Sequence, residues 1–222
     1  MMSDAIQHHC SVFAPRFGRI ALGWALLLLL AVLTARAEHL PVKTYTVADG
    51  LLRDSIFKIR QDSRGFLWIC TAEGVSRFDG AGMTNFTVAD GLPDRFATDF
   101  LETRDGTIYI ATGKGLARLN PRGLRASKAN PLFNTFLTDN PKAERILNLL
   151  EDRSGRIWVG TSDGLYKLIE ANGQVALEQF ALGESPDKAL HVTEIIEDRH
   201  GFIWVGTSQG LFHIAPNGEA RH

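Results

Sequence analysis

The sequence predicts an all-β chain built of propeller blades, about four of them, each a sheet of four antiparallel strands. Three observations predict it. Four stretches are near-copies: GFLWICTAEGVSRF from Gly65, GTIYIATGKGLARL from Gly106, GRIWVGTSDGLYKL from Gly155 and GFIWVGTSQGLFHI from Gly201. Their aromatic column is Trp68, Tyr109, Trp158 and Trp204, at steps of 41, 49 and 46 residues. A period of roughly 40–50 residues holding four short strands marks propeller blades. The third observation is β-branched and aromatic enrichment between glycine-bearing turns. A unit of this kind cannot bury its own apolar face and must stack on neighbours.

Before the repeats lies a targeting segment. Arg16 and Arg19 precede the apolar run Ile20–Leu33, and Ala35-Arg36-Ala37 follows as an A-x-A-like cleavage site. The run suits a signal-peptide core and is short for a bilayer span, which needs ~20 residues. Residues 1–37 are therefore expected to be a signal peptide, with an uncleaved signal anchor as the rival, and translation starting later than Met1 would fit the long leader.

The chain has 222 residues, 45% hydrophobic and 22% charged, with a net charge of −1. That is ordinary globular composition. Without residues 1–37 the chain loses Arg16, Arg19, Arg36 and Asp4, leaving 21 basic and 24 acidic residues. No basic stripe suggests nucleic acid. Of the two cysteines, Cys10 lies in the leader, so Cys70 has no disulfide partner in the exported part.

Blades are expected at about 50–90, 91–140, 141–183 and 184–222. In the third, strand A spans Arg145–Asp152, strand B Arg156–Thr161, strand C Leu165–Ile169, and strand D lies near Gln174–Phe180. The same reading gives strands A and B at Ser55–Gln61 with Phe66–Thr71, Arg95–Glu102 with Thr107–Thr112, and His191–Asp198 with Phe202–Thr207. Strand D of the first repeat is Thr84–Val88, and that of the second includes Leu132–Leu137.

Each column has a physical reason. Glycine at 65, 106, 155 and 201 closes the A–B turn, and glycine at 74, 115, 164 and 210 the B–C turn. Asp62, Asp152 and Asp198 stand where a carboxylate can cap the A–B turn amides; the second repeat has Thr103 there and Asp105 nearby. Thr71, Thr112, Thr161 and Thr207 end strand B, where a hydroxyl can bond the turn. The strand B aromatic fills the space between blades, and burying such a ring removes roughly 200 Å² from water.

The exported chain opens KTYTVADGL, matching NFTVADGL from Asn85. Strand 43–47 is thus expected as a leading outer strand with no blade of its own. The fourth repeat is expected to hold three strands, ending near Ile214 with a stub beyond, and a leading strand could complete it.

The strings EDRSGRIWVGTSDGLYKL (Glu151–Leu168) and IEDRHGFIWVGTSQGLFHI (Ile196–Ile214) resemble the two-component regulator propeller repeat, as do YTVADGL and FTVADGLP at strand D and its exit. The resemblance covers 43–214, departing at Cys70, where glycine is usual, and at Tyr109 and Ala111. It implies a periplasmic sensor region. Relatives carry one or two propellers, commonly seven-bladed, then a β-sandwich, a membrane helix and a histidine kinase, diguanylate cyclase or DNA-binding output. About four blades here imply a partial, open propeller, an input portion cut before its membrane helix and output domain; a closed four-bladed ring is the alternative.

Recurrent Asp-x-x-Gly turns invite a calcium reading, but each offers one or two carboxylates where calcium takes six or more oxygens. Turn capping is the simpler account, so no metal or cofactor is expected. The turns faintly resemble Asp-box hairpins of sialidase-type propellers; Arg104, Arg153 and Arg199 recur in register but sit beside acids in turns. His191 and His200 bracket a strand and stand about 20 Å apart at ~3.3 Å per residue, too far for one zinc. Cys70 lacks a partner constellation and reads as a small buried residue.

Lys58, Asp99, Asn148 and Glu194 occupy equivalent positions on strand A, the innermost strand of a blade. They form the one ordered polar column for ligand contact, with inter-blade hydrogen bonding as the alternative. The expectation is a non-catalytic periplasmic ligand-sensing propeller of a two-component sensor. Its partner would be a small molecule or oligosaccharide, with self-association through blade edges, and it would meet the membrane only through an uncleaved leader. A secreted propeller glycosidase or lyase, and a decayed gene fragment, are the alternatives.

Overall fold

The computed structural model describes residues 42–120, 132–171, 174–182 and 190–221. The chain falls into two units, Met1–Thr44 and Tyr45–His222, and every sheet belongs to the second. The leader expected over residues 1–37 lies outside the described residues.

Four antiparallel sheets follow one another along the chain. The first holds β1 (Ile56–Gln61), β2 (Leu67–Thr71), β3 (Gly74–Phe78) and β4 (Met83–Phe86). The second holds β5 (Ala97–Glu102), β6 (Ile108–Thr112), β7 (Gly115–Leu119) and β8 (Phe133–Phe136). The third holds β9 (Ile146–Glu151), β10 (Ile157–Thr161), β11 (Gly164–Ala171) and β12 (Gln174–Phe180). The fourth holds β13 (Val192–Glu197), β14 (Ile203–Thr207), β15 (Gly210–Ile214) and β16 (Ala220–Arg221). Each sheet is a meander of sequential neighbours, and β1, β5, β9 and β13 lie side by side at its inner edge. This is the propeller blade.

The blades stack through apolar clusters at their boundaries. Trp68 of the first blade stacks on Phe100 of the second, ring centres 4.8 Å apart, in a cluster with Cys70, Ala97 and Ile110. Tyr109, Leu116 and Ala111 of the second meet Ile146, Leu149 and Val159 of the third. Trp158 and Leu165 of the third meet Val192, Ile195 and Val205 of the fourth. Trp68 and Trp158 are fully buried, as an aromatic filling the space between blades should be.

The arc is open. Ile59 of β1 is 54% exposed, whereas its counterparts Phe100, Leu149 and Ile195 are buried. Leu211 of β15 is 55% exposed, whereas Val75, Leu116 and Leu165 are fully buried. The first and fourth blades each present to solvent a face that the inner blades bury.

The turns follow the sequence column by column. Thr71, Thr112, Thr161 and Thr207 each donate the hydroxyl to the carbonyl of the glycine three residues on, at 3.0, 2.7, 2.9 and 2.9 Å. Gly74 shows why that glycine is required. Its φ is +130°, and a Cβ there would stand 2.2 Å from the Phe86 carbonyl oxygen of β4.

The leading segment corrects one expectation. Strand 43–47 is not formed: residues 42–46 belong to no sheet, and Val47–Asp49 is a 3₁₀ turn. Thr46 caps that turn, accepting from Ala48 N–H, while Asp49 reaches back to Thr46 N–H. Thr87 and Asp90 build the same capping box at Val88–Asp90, with Gly50 and Gly91 closing the two turns at φ +101° and +104°. TVADGL is thus a turn module in both places. Its first copy is held by side chains: Tyr45 packs edge-on against Phe78 at 5.1 Å, and Asn85 donates to the Gly50 carbonyl at 3.0 Å. The fourth blade is completed differently from expectation, by the two-residue β16 that pairs with β15 beyond Ile214.

Candidate functional site

The inner-strand polar column splits in two. Asp99 is fully buried and ties three blades together. Its carboxylate accepts from Leu149 N–H of β9 at 3.0 Å and from its own neighbour Phe100 N–H at 2.8 Å, and pairs with Arg60 of β1 at 3.4 Å. Asn148 is also buried and donates to the Val192 carbonyl of β13 at 3.4 Å. These two side chains are engaged in blade-to-blade bonding.

Lys58 and Glu194 face each other instead. The ammonium of Lys58 on β1 lies 3.5 Å from the Glu194 carboxylate on β13, joining the first and fourth blades across the centre of the arc. Their side chains are 24% and 53% exposed. An ion pair in that setting is screened by water and weakly held, so both ends remain able to exchange partners. Of the four column residues, these two are the ones presented to a solute.

A second polar feature lies between the second and third blades. A cleft of about 420 Å³ is lined by Arg104, Asp105, Tyr109, Glu151 and Glu170, with Ile157 and Leu168 at its apolar wall. It sits where the second repeat departs from the others. In the first, third and fourth blades the strand B tryptophan donates its indole N–H to the turn aspartate: Trp68 to Asp62 at 2.9 Å, Trp158 to Asp152 at 2.9 Å and Trp204 to Asp198 at 3.1 Å. The second blade has Thr103 for the aspartate and Tyr109 for the tryptophan. Thr103 bonds to Asp105 and the Thr107 carbonyl, and the smaller phenol leaves room. The cleft's charged groups are already occupied: Arg118 pairs with Glu170 at 3.4 Å, and Glu151 accepts from Arg104 N–H at 2.8 Å.

The turn aspartates are electrostatically shaped by these bonds. Burial pushes the Asp62 and Asp152 carboxyls up, but the indole donor and two turn amides outweigh it, aided at Asp152 by the Arg156 guanidinium 2.6 Å away; both lie below the usual carboxylate range. Asp198 is lowered chiefly by its bond from Trp204.

Neighbouring turns are stapled in one direction. The residue after the turn aspartate or threonine donates its backbone N–H to the glutamate ending the next blade's inner strand: Ser63 to Glu102 at 2.5 Å, Arg104 to Glu151 at 2.8 Å and Arg153 to Glu197 at 3.0 Å. The arginine side chains at the same position reach the next turn's carbonyls, Arg104 those of Asp152 and Arg153, and Arg153 that of Arg199. Sequence reasoning placed these arginines beside acids in solvated turns and missed both the staple and the indole–carboxylate bond. The signal was present in the six-residue spacing from aspartate to tryptophan, and in the one repeat that lacks both.

Among the described residues no group of three or more His, Cys, Asp or Glu side chains could hold a metal. No helix among them is long and apolar enough to cross a membrane.

Comparison with known proteins bears on this architecture. The family described as two component regulator propeller matches residues 141–163 and 188–209. No curated protein matches the chain. Among solved structures, the chain is similar to the extracellular domain assigned to a hybrid two-component system of B. thetaiotaomicron, at 19% identity and TM-score 0.57, over 75% of this chain and 21% of that one. A second extracellular domain from that organism, assigned to a one-component system, gives 22% identity and TM-score 0.58 over 74% and 22%. Virginiamycin B lyase from Staphylococcus aureus gives 16% identity and TM-score 0.56 over 75% and 54%. The chain therefore spans about a fifth of the length of the two B. thetaiotaomicron domains. At these identities the likeness is one of fold, and it is the propeller. The matched segments run through the inner strand, A–B turn and strand B of the third and fourth blades, where the Asp–Trp bond and the turn staple reside. Those two blades match the two component regulator propeller, in a chain whose described body has the propeller architecture.

Proposed function

We propose that this chain is a non-catalytic, periplasmic ligand-sensing propeller, the input portion of a two-component signalling protein. The observation that carries the reading is the pair Lys58 and Glu194, two opposite charges at the centre of an arc whose third and fourth blades match the two component regulator propeller. The rest of the inner column is consumed in holding blades together, so of that column a solute entering the arc meets one cation and one anion. That pair suits a neutral polyhydroxylated ligand or a zwitterion, whose hydroxyls or charges can displace the water around both ends. A small saccharide belongs to this class. Binding between the first and fourth blades would alter the spacing of the ends of the arc, and a change of that kind is what a sensor region passes to an output domain. The solved domains of which this chain spans about a fifth are extracellular domains assigned to a hybrid two-component and a one-component system, and this supports reading the chain as part of an input region.

Calorimetric titration with a panel of neutral oligosaccharides and zwitterionic amino acids tests the reading. The expected result is a saturable heat with one class of ligand, weakened at least tenfold in both Lys58→Ala and Glu194→Ala. Binding that both substitutions leave unchanged would move the site elsewhere. Turnover of a glycan, abolished by a single substitution, would replace the sensor with an enzyme.

A further inference from the structure

The boundary between the second and third blades is underfilled, and the boundaries on either side of it show what fills them. Each of these two blades is a four-stranded sheet with a neighbour on both sides, so the gap owes nothing to the ends of the array. Three positions of the preceding blade occupy such a boundary: the turn aspartate, the residue after the turn glycine, and the strand B aromatic. In the first blade they are Asp62, Phe66 and Trp68, and in the third Asp152, Arg156 and Trp158. In the second they are Thr103, Thr107 and Tyr109. Thr107 and Tyr109 are both smaller than either counterpart, and the cleft of about 420 Å³ opens against them. Its volume falls within the roughly 300–1,000 Å³ usual for small-molecule sites.

The opposite wall registers the missing bulk. Ile108 and Ile203, which receive Trp68 and Trp158, are 5% and 1% exposed. Their third-blade counterpart Ile157 and its cross-strand partner Leu168 are only partly buried against the cluster of Tyr109. An aliphatic wall that receives an indole at the other two boundaries therefore stays open here.

The rim above this wall is acidic. Asp105, Glu151 and Glu170 line it together with one cation, Arg104, whose guanidinium is spent on the Asp152 and Arg153 carbonyls. The Thr103 hydroxyl and the Thr107 amide both donate to Asp105 and hold its carboxyl below the usual carboxylate range. Glu170 pairs with Arg118 at 3.4 Å, yet its side chain is 52% exposed, so water screens the pair and a ligand can compete for the carboxylate.

From the open wall and its acidic rim we propose that this cleft binds a small organic cation with a planar aromatic body. The ring lies on Ile157 and Leu168 beside Tyr109, as the tryptophans lie on the matching walls, and the ammonium meets the rim carboxylates. No residue of the inner-strand column lines the cleft, so the site is distinct from Lys58 and Glu194.

Calorimetry on the full chain with tryptamine, an indole bearing a primary ammonium, tests the proposal. One molecule should bind per chain. Indole-3-acetate, a similar ring with the opposite charge, should bind about tenfold more weakly or worse, since attraction at the rim becomes repulsion. Thr107→Phe installs the residue that the first and fourth blades carry, and it should close the cleft and abolish binding. Lys58→Ala should leave tryptamine binding unchanged, which keeps this site separable from the central one. Intermolecular NOEs from the indole protons to the methyls of Ile157 and Leu168 locate the ring without any substitution. Absence of a saturable heat with tryptamine would overturn the proposal. So would equal affinity for indole-3-acetate, binding that persists in Thr107→Phe or is lost in Lys58→Ala, or NOEs to other methyls in place of these two.

Discussion

Trp158 donates its indole N–H to the Asp152 carboxylate at 2.9 Å, and both side chains are fully buried. One carboxylate thereby joins the A–B turn to the inter-blade core. Its other bonds come from the amides of Ser154 and Arg156, at 2.9 and 3.0 Å, and from the Arg156 guanidinium. Asp152→Asn keeps the size but replaces one acceptor oxygen by an NH₂ that faces donors. Hydrogen bonds to charged groups contribute about 1.5–3 kcal/mol each, and an unmet buried donor costs a similar amount. The expected loss is ~2–3 kcal/mol, seen as a lower midpoint in thermal unfolding. Trp158→Ala, which also empties the inter-blade space, should cost ~3–5 kcal/mol. The two losses should be markedly non-additive in the double variant, since they share one bond.

Acid should unfold the propeller through the same carboxylates. Asp62, Asp152 and Asp198 are all lowered from the ordinary value of 3.8. A group depressed in the folded state stabilises it fully above its unfolded value, and that contribution fades as pH falls through the folded value. Stability should therefore hold down to about pH 4 and decline below 3.8. Denaturant midpoints measured from pH 6 to pH 2 should show the fall, and Asp152→Asn should show a shallower one. A midpoint flat across that window would mean these carboxylates are not depressed.

The second blade allows the indole–carboxylate bond to be rebuilt. Thr103 and Tyr109 occupy its two positions, and the cleft beside Tyr109 has room for a larger ring. Tyr109→Trp alone should gain little, because its indole N–H would face a threonine. Thr103→Asp alone would bring a carboxylate toward Asp105 and should destabilise. Together they should exceed the sum of the single effects by about 1 kcal/mol or more in a double-mutant cycle. Simple additivity would show that the pairing in the other three blades contributes nothing beyond packing.

Much of this was legible in the sequence because propeller columns are dictated by local turn chemistry. Glycine at 74, threonine at 71 and aspartate at 62 each do one job within a few residues, so spacing alone exposes them. Strand D was legible in the first three repeats, at Met83–Phe86, Phe133–Phe136 and Gln174–Phe180, and was missed in the fourth, where it is the two-residue β16. The run 43–47 misled because TVADGL follows a strand at Phe86, whereas at Thr46 the same capping box needs no strand before it. The inner column failed to separate by sequence for a different reason. Asp99 and Glu194 hold one register position, and what divides them is whether a neighbouring blade supplies an N–H such as Leu149's, which no local pattern records.

Cys70 should be chemically silent in the folded protein. It is fully buried between Trp68 and Ala97 in the first inter-blade cluster. Burial pushes its thiol well up, and the buried Asp99 carboxylate adds to the effect. The thiolate is the reactive form. Peptide mapping after iodoacetamide treatment at pH 8 should find Cys70 unmodified in the native chain and modified in denaturant. Rapid native labelling would mean that the first blade opens readily from the second.

Two glycines with positive φ separate backbone strain from steric collision. Gly80, at φ +97°, has nothing within 4 Å of where a Cβ would stand. Gly74, at φ +130°, would place a Cβ 2.2 Å from the Phe86 carbonyl oxygen and 3.0 Å from Leu52 Cδ1. Alanine at either site meets the left-handed penalty of roughly 1–2 kcal/mol. At Gly80 that is the whole effect, so Gly80→Ala should lower stability by ~1 kcal/mol. At Gly74 the obstructing atom is backbone, fixed by the pairing of Val75 with Phe86 between β3 and β4. It cannot swing aside as a side chain would. Gly74→Ala must therefore part the two strands at their first pair and disturb the Thr71 hydroxyl, which donates to the Gly74 carbonyl. A loss of about 3 kcal/mol or more is expected, with hydrogen exchange accelerated at β4 ahead of β1 and β2. Equal losses at the two glycines would show that the β3–β4 end yields freely and that the B–C turn glycine is conserved across the four repeats by φ alone.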